Sequence, residues 1–328
     1  MKCSHSLLRF DRPIVLVLVA ASFVILSAKL EAAANSVITE ELFASPDAAI
    51  KALQAAAESK NKAALDKIFG PVFIELSTGD KVQDAINAQR FATKMAQGYT
   101  LVNEGNDKIT LEVGTNNWPC PIPLVRTGGQ WYFDTAAGKE EIINRHIGKD
   151  ELSAIGVCRA YVTAQQQYAQ LNLAAGGVAQ YAQKFKSSPG MKDGLYWKVT
   201  GNEATSPFGP LVAEAYAEGY RSHKSPGPHA FHGYYFKILT RQGDAAPGGK
   251  KNYLSHGSLT GGFALVAYPE NWGHSGIMTF MVNQDGKVYQ RDFGEQTGRI
   301  APALSEYNPD NEWTLVSDEG ILSAASDK

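Results

Sequence analysis

Cysteine is scarce, with three in 328 residues, and one of them, Cys3, lies in an amino-terminal stretch that reads as removable. Two remaining thiols cannot supply the framework of a disulfide-rich secreted domain, so the core must come from apolar packing. Metal signatures are missing too: no HExxH and no CxxC occurs, and these are the spacings that place zinc ligands. No Walker loop or dinucleotide fingerprint is present. The Gly-rich Pro247-Gly248-Gly249-Lys250 sits between expected strands, outside the strand–loop–helix setting that phosphate binding needs. Gly273-His274-Ser275-Gly276 fails as a nucleophile elbow, because Ile277 stands where the strained turn needs glycine and a strand follows. Basic excess is absent as well. The formal net charge is −2, which excludes a nucleic-acid partner.

Long apolar runs are absent but for one. Residues 14–28 carry no charge, follow Lys2, Arg9 and Arg12, and precede Ala32-Ala33-Ala34. A positive start, an apolar middle and small residues before Asn35 make an export signal over residues 1–34. The run is shorter than a spanning helix prefers. The expected location is periplasmic or secreted after cleavage; the alternative is an inner-membrane protein anchored by residues 14–28. Membrane contact is otherwise not expected. Cys3 precedes the run instead of following it, which argues against a lipoprotein. In an oxidising compartment Cys120 and Cys158 can form one disulfide. The competing reading is two buried free thiols, since Cys158 falls among apolar helical positions.

At this length, with 20% charged and 10% aromatic residues, the chain has room for two packed domains. The first, residues 35–148, opens with helices: Ser45 caps one with Pro46 at its first position, Asn61 caps a second, and Gly70-Pro71 stops it. A third runs from Asp80 to about Gln97, with Val82, Ile86, Phe91 and Met95 expected inward. Strands follow at residues 99–103, 108–114, 122–127 and 130–134. Helices before a curved antiparallel sheet suggest a reduced nuclear-transport-factor-like domain. The second domain, residues 149–328, begins with a helix, expected to break near Gly148 and at Gly176-Gly177, with Gln165, Gln166 and Gln167 on a solvated face. Residues 232–294 then alternate with period two. In residues 276–289, Ile277, Thr279 and Met281 face one side and Met278, Phe280 and Val282 the other, so this strand is central and covered on both faces. Asn283-Gln284-Asp285-Gly286 is its turn. The fold class is α+β: a small helix-plus-sheet domain, then a long helix with an antiparallel meander.

The segments HGYYFKILT, GGFALVAYP and GIMTFMVNQDGKVYQRDFG, with WPCPIPLVRTGGQWYFDTAAGKEEIINRHIG and SPFGPLVAEAYAEGY upstream, carry a resemblance. They resemble the bacterial family of exported proteins catalogued as domain of unknown function 2950, over nearly all of the chain after the signal. That resemblance implies no activity, substrate or catalytic residue. More loosely, a long helix followed by a meander ending in TFMVNQDGKVYQ looks like the head of pilin-type secretion proteins, an analogy of fold alone.

Candidate chemistry is sparse. His223, His229 and His232 fall close together, and His256 and His274 lie on later loops of the same sheet; of these, His232, His256 and His274 form the candidate polar cluster. Asp285 with Asn283, and Asp310 with Asn308 and Glu312, have oxygens of the kind calcium takes, although Asn/Asp turn chemistry accounts for them. Tyr234, Tyr235, Trp272 and Tyr289 could line an aromatic surface. No cofactor and no catalytic residue is assigned. The sequence supports a non-enzymatic binding or assembly module of the cell envelope, with an envelope protein or small ligand as partner. The alternative is an envelope hydrolase using one of those histidines with a carboxylate.

Overall fold

The computed structural model describes residues 38–77, 80–174, 177–199, 201, 205–220 and 229–317. Residues 1–34, expected to be an export signal, and His223 lie outside these residues. The chain divides into two compact units, Met1–Glu40 and Glu41–Lys328. Of the first only residues 38–40 are described, and every described helix and strand belongs to the second.

Helix α1 (Pro46–Glu58) starts where the Ser45 hydroxyl accepts from the Ala48 amide, with Pro46 at its first turn. It buries Ala49, Ile50, Leu53, Ala56 and Ala57 on one face. Helix α2 (Lys62–Phe69) is capped by Asn61 and ends at Gly70; a 3-10 turn, Pro71–Leu76, follows. Helix α3 (Lys81–Gln97) is capped by Asp80, whose carboxylate accepts from the Val82 and Gln83 amides. These helices cover a sheet built from β1 (Tyr99–Asn103), β2 (Lys108–Val113), β3 (Trp118–Pro119), β4 (Leu124–Thr127) and β5 (Gln130–Phe133). Its order is β1-β2-β4-β5, with β3 also on β2. Ile50, Leu53, Phe69, Met95, Leu111, Leu124 and Phe133 fill the core between the layers.

Helix α4 (Thr135–Ala174) is continuous across Gly148, where the sequence predicted a break. A single interior glycine costs only about 1 kcal/mol relative to alanine. Here the turns on either side are tied down by buried Ile147, Ala154 and Ile155, which outweighs that cost. Helix α5 (Gly209–Glu218) ends at Gly219, in the left-handed region at φ 109°.

The chain then enters β6 (Tyr234–Leu239). Two small hairpins come next: β7 (Arg241–Gln242) with β8 (Lys251–Asn252), and β9 (Leu254–Ser255) with β10 (Ser258–Leu259). The meander closes with β11 (Ala264–Pro269), β12 (Met278–Asn283), β13 (Tyr289–Asp292) and β14 (Thr314–Leu315). The sheet order is β14-β13-β12-β11-β6, all antiparallel. Strand β12 has a neighbour on each edge and is buried from Thr279 to Asn283, the central position that its two apolar faces predicted. Helix α4 lies across β11 and β12. Ala154, Cys158 and Tyr161 meet Leu265, Phe280 and Val282 in one cluster, and the Tyr161 hydroxyl donates to the Ala264 carbonyl at 3.2 Å. The class is mixed α+β.

Two side-chain expectations fail in an instructive way. Val82 and Ile86 are only half-buried, while polar Gln83 beside them is fully buried. Gln165, expected in water, is also fully buried: its amide donates to the Tyr161 hydroxyl and the Ala182 carbonyl and accepts from the Ala182 amide. Apolar periodicity cannot register a polar side chain that faces inward because its partners wait there.

Candidate functional site

Four elements deliver polar side chains to one buried place. Asp80, at the head of α3, accepts from the Tyr220 hydroxyl. One turn on, Gln83 accepts from the Lys149 ammonium and donates to Tyr220 at 3.4 Å. Helix α4 contributes His146, Lys149 and Asp150, whose i, i+3, i+4 spacing sets them on one face. His146 Nε2 lies 3.0 Å from Asp150 Oδ2, and Asp150 is completely buried.

His232 comes from the tip of a tight hairpin. Phe231 and Tyr234 exchange backbone hydrogen bonds at 2.9 and 3.1 Å, leaving His232 and Gly233 as a two-residue loop at φ 46° and 65°. Positive φ at both positions is the type I′ signature, which favours Asn-Gly. Histidine there bears a backbone cost of about 1–3 kcal/mol, a cost met mostly at functional positions. Glycine at 233 is obligatory: a Cβ would lie 2.5 Å from Asp150 Oδ2 and 2.6 Å from Ser275 Cβ. The His232 ring is 7% exposed. It packs on Phe231 and Tyr220 with centroids 4.3 and 5.3 Å away, and Nε2 lies 2.9 Å from Glu218 Oε2 at the end of α5.

Burial sets the electrostatics. It pushes the Asp150 carboxyl above its usual range, against the opposing pull of His146 and then His232. Burial also holds His232 below its ordinary 6.5, opposed by the nearby Glu218 and Asp150 and reinforced by Lys149. His232 is therefore neutral at pH 7, able to hold or accept one proton between Glu218 and the interior. Hydroxyls at the cluster are engaged: Tyr220 donates to Asp80, and Ser275 donates to the Asn271 carbonyl at 3.2 Å.

Glu218 is partly exposed, its side chain 31% accessible. It stands at one end of a groove of about 1040 Å³ along the outer face of α3, with Lys81, Val82, Ile86, Arg90 and Lys94 in its lining and Asn116 near the far end. From Lys81 to Gln97 the helix rises about 24 Å. Lys94 donates to Asn116 Oδ1 at 2.9 Å and lies 6.0 Å from the Trp118 ring. Lys81 and Arg90 have no hydrogen-bonding or ion-pair partner among the described residues.

His256 and His274 lie elsewhere. His256 occupies the β9–β10 turn, exposed, its Nδ1 3.1 Å from the Ser255 hydroxyl; His274 is exposed in the turn before β12. Among the described residues no three His, Cys, Asp or Glu side chains are placed to hold a metal ion. Asp285 accepts from Asn283, and Asp310 lies 4.0 Å from Arg291. Cys120 and Cys158 are free and buried, one in each hydrophobic cluster, so no bridge joins them. Burial pushes their thiols up to about 11 and about 12, which leaves both protonated and unreactive. Of the aromatic group, Tyr234 is fully buried, while Tyr235 and Trp272 are half-buried and donate to Glu270 and Asp292.

Residues 40–316 match the model of one family, described as a protein of unknown function (DUF2950). The chain belongs to that family. No curated protein and no solved structure matches it. This DUF2950 chain carries a buried polar cluster of which the sequence reading named only His232. Gln83, His146, Asp150, Glu218 and Tyr220 were missed. The His-Gly pair at the hairpin tip does not single His232 out, because exposed His256 and Gly257 make the same positive-φ turn.

Proposed function

We propose that this DUF2950 protein is an exported, non-enzymatic module of the cell envelope that binds an acidic partner segment along the outer face of α3. The observation that carries the reading is the composition of that face. Two cations without partners among the described residues, Lys81 and Arg90, flank half-buried Val82 and Ile86 in one groove. Apolar side chains left half-covered beside unpaired charges suit a partner that supplies apolar contact and carboxylates together. The role is binding or assembly in the periplasm or outside the cell. Capture from native envelope tests it. A partner retained by the wild type and by a Lys51→Glu control, but lost from Lys81→Glu/Arg90→Glu, supports the reading. Equal capture by all three refutes it.

A second reading, an envelope hydrolase, has one specific observation behind it: neutral His232, held at positive φ against Glu218. It stands second because the hydroxyls beside it are already engaged. Turnover of ester, phosphoester or peptide probes that vanishes in His232→Asn would promote it.

A further inference from the structure

Among the described residues strand β1 is an open sheet edge. Its one partner among the described residues is β2, in the register Tyr99↔Val113 to Asn103↔Ile109. Just beyond the strand ends, the Glu104 amide donates to the Lys108 carbonyl and the Gly114 amide to the Gly98 carbonyl. In an antiparallel ladder the hydrogen-bonded pairs alternate, so Gly98, Thr100, Val102 and Glu104 point their backbone groups at β2. The N–H and C=O groups of Tyr99, Leu101 and Asn103 point away from it, with no partner among the described residues. Exposed edges in soluble proteins are normally guarded by a charge, a proline or a bulge. Residues 99–103 read YTLVN and have none. Tyr99 is 40% and Val102 37% exposed.

We propose that β1 is a self-association surface whose occupant is β1 of a second copy, antiparallel about a two-fold axis at Leu101. The outward positions are symmetric about that residue. Leu101 would pair with Leu101, and Tyr99 with Asn103 in both directions, giving about six inter-chain hydrogen bonds. The same register sets Thr100 opposite Val102 in the close, non-hydrogen-bonded positions, a favourable cross-strand pair. No charged residue lies within the paired stretch, so nothing repels the copy. An isologous contact of this kind closes at two chains and leaves no edge to propagate.

Sedimentation of the exported chain up to ~1 mM, the range for a contact this small, is expected to show the weight-average mass rising toward twice that of the monomer. Thr100→Lys/Val102→Lys sets lysines opposite each other and should weaken association by on the order of tenfold. Thr100→Lys/Val102→Glu sets lysine opposite glutamate and should restore it. A probe independent of variant stability is oxidation of mixed chains. Thr100→Cys mixed with Val102→Cys should cross-link, and neither should do so alone. A wild type that stays monomeric throughout, charge variants indistinguishable from one another, or no cross-link specific to the mixture overturns the proposal.

Discussion

At His232 the backbone, the ring and the neighbouring charges make one arrangement, and its titration follows from burial. Its pKa is held below the ordinary 6.5, so the unfolded chain takes up a proton first as pH falls. The contribution to stability is full above about 6.5 and is lost as pH drops through the folded value. Asp150, with its pKa raised, acts in the opposite sense, losing stability as pH rises through its folded value. His232→Asn keeps a residue that tolerates positive φ and removes the titration. Urea denaturation between pH 8 and pH 5 should show a shallower loss of stability below pH 6.5 in the variant than in the wild type; equal slopes would contradict this. Gly233→Ala must push a methyl group at the Asp150 carboxylate from a strained backbone, a loss of at least about 1–3 kcal/mol; an unchanged midpoint would show that the turn relaxes. His232 was legible in the sequence, but Glu218, Asp150 and His146 were not. Glu218 and Asp150 face it only through the packing of α4 and α5, with His146 behind Asp150, and no local pattern encodes a partner 82 residues away, as Asp150 is from His232.

Among elements, β12 is the most legible in the sequence and α3 the least. Two apolar faces and an Asn-Gln-Asp-Gly turn after them make β12 central, and Ala154, Cys158 and Tyr161 of α4 pack in the same cluster as Phe280 and Val282. Phe280 is fully buried there, so Phe280→Ala should cost about 3–5 kcal/mol. Exposed His274→Ala should leave the denaturation midpoint nearly unchanged. The reverse ranking would mean that the meander serves something other than packing. The caps of α1, α2 and α3 were legible because Ser45, Asn61 and Asp80 act on amides within three residues. The inward face of α3 was not. Val82 and Ile86 have the spacing of core residues, yet they line the groove while Gln83 turns in toward Lys149 and Tyr220.

For the molecule as a whole, α4 passes without interruption from the neighbourhood of one hydrophobic cluster to the other. Ile142 packs on the first, and Ala154, Cys158 and Tyr161 lie in the second. A helix continuous between two cores couples their unfolding, and each core holds its own reporter. Cys120 and Cys158 should become reactive to a thiol reagent at the same denaturant concentration. Separate midpoints would mean that the two cores open independently. The groove belongs to this scale as well, because its ends come from α5 and from the β2–β3 turn, far apart in sequence. The most direct test is a photo-cross-linker at Gln89, inside the groove, compared with one at the exposed Lys51 on α1, both in the native cells. A discrete adduct from Gln89 that is absent from Lys51, and that fades with added salt as screening predicts, is the expected result. Adducts from neither position, or the same adduct from both, would contradict a binding role for the face of α3.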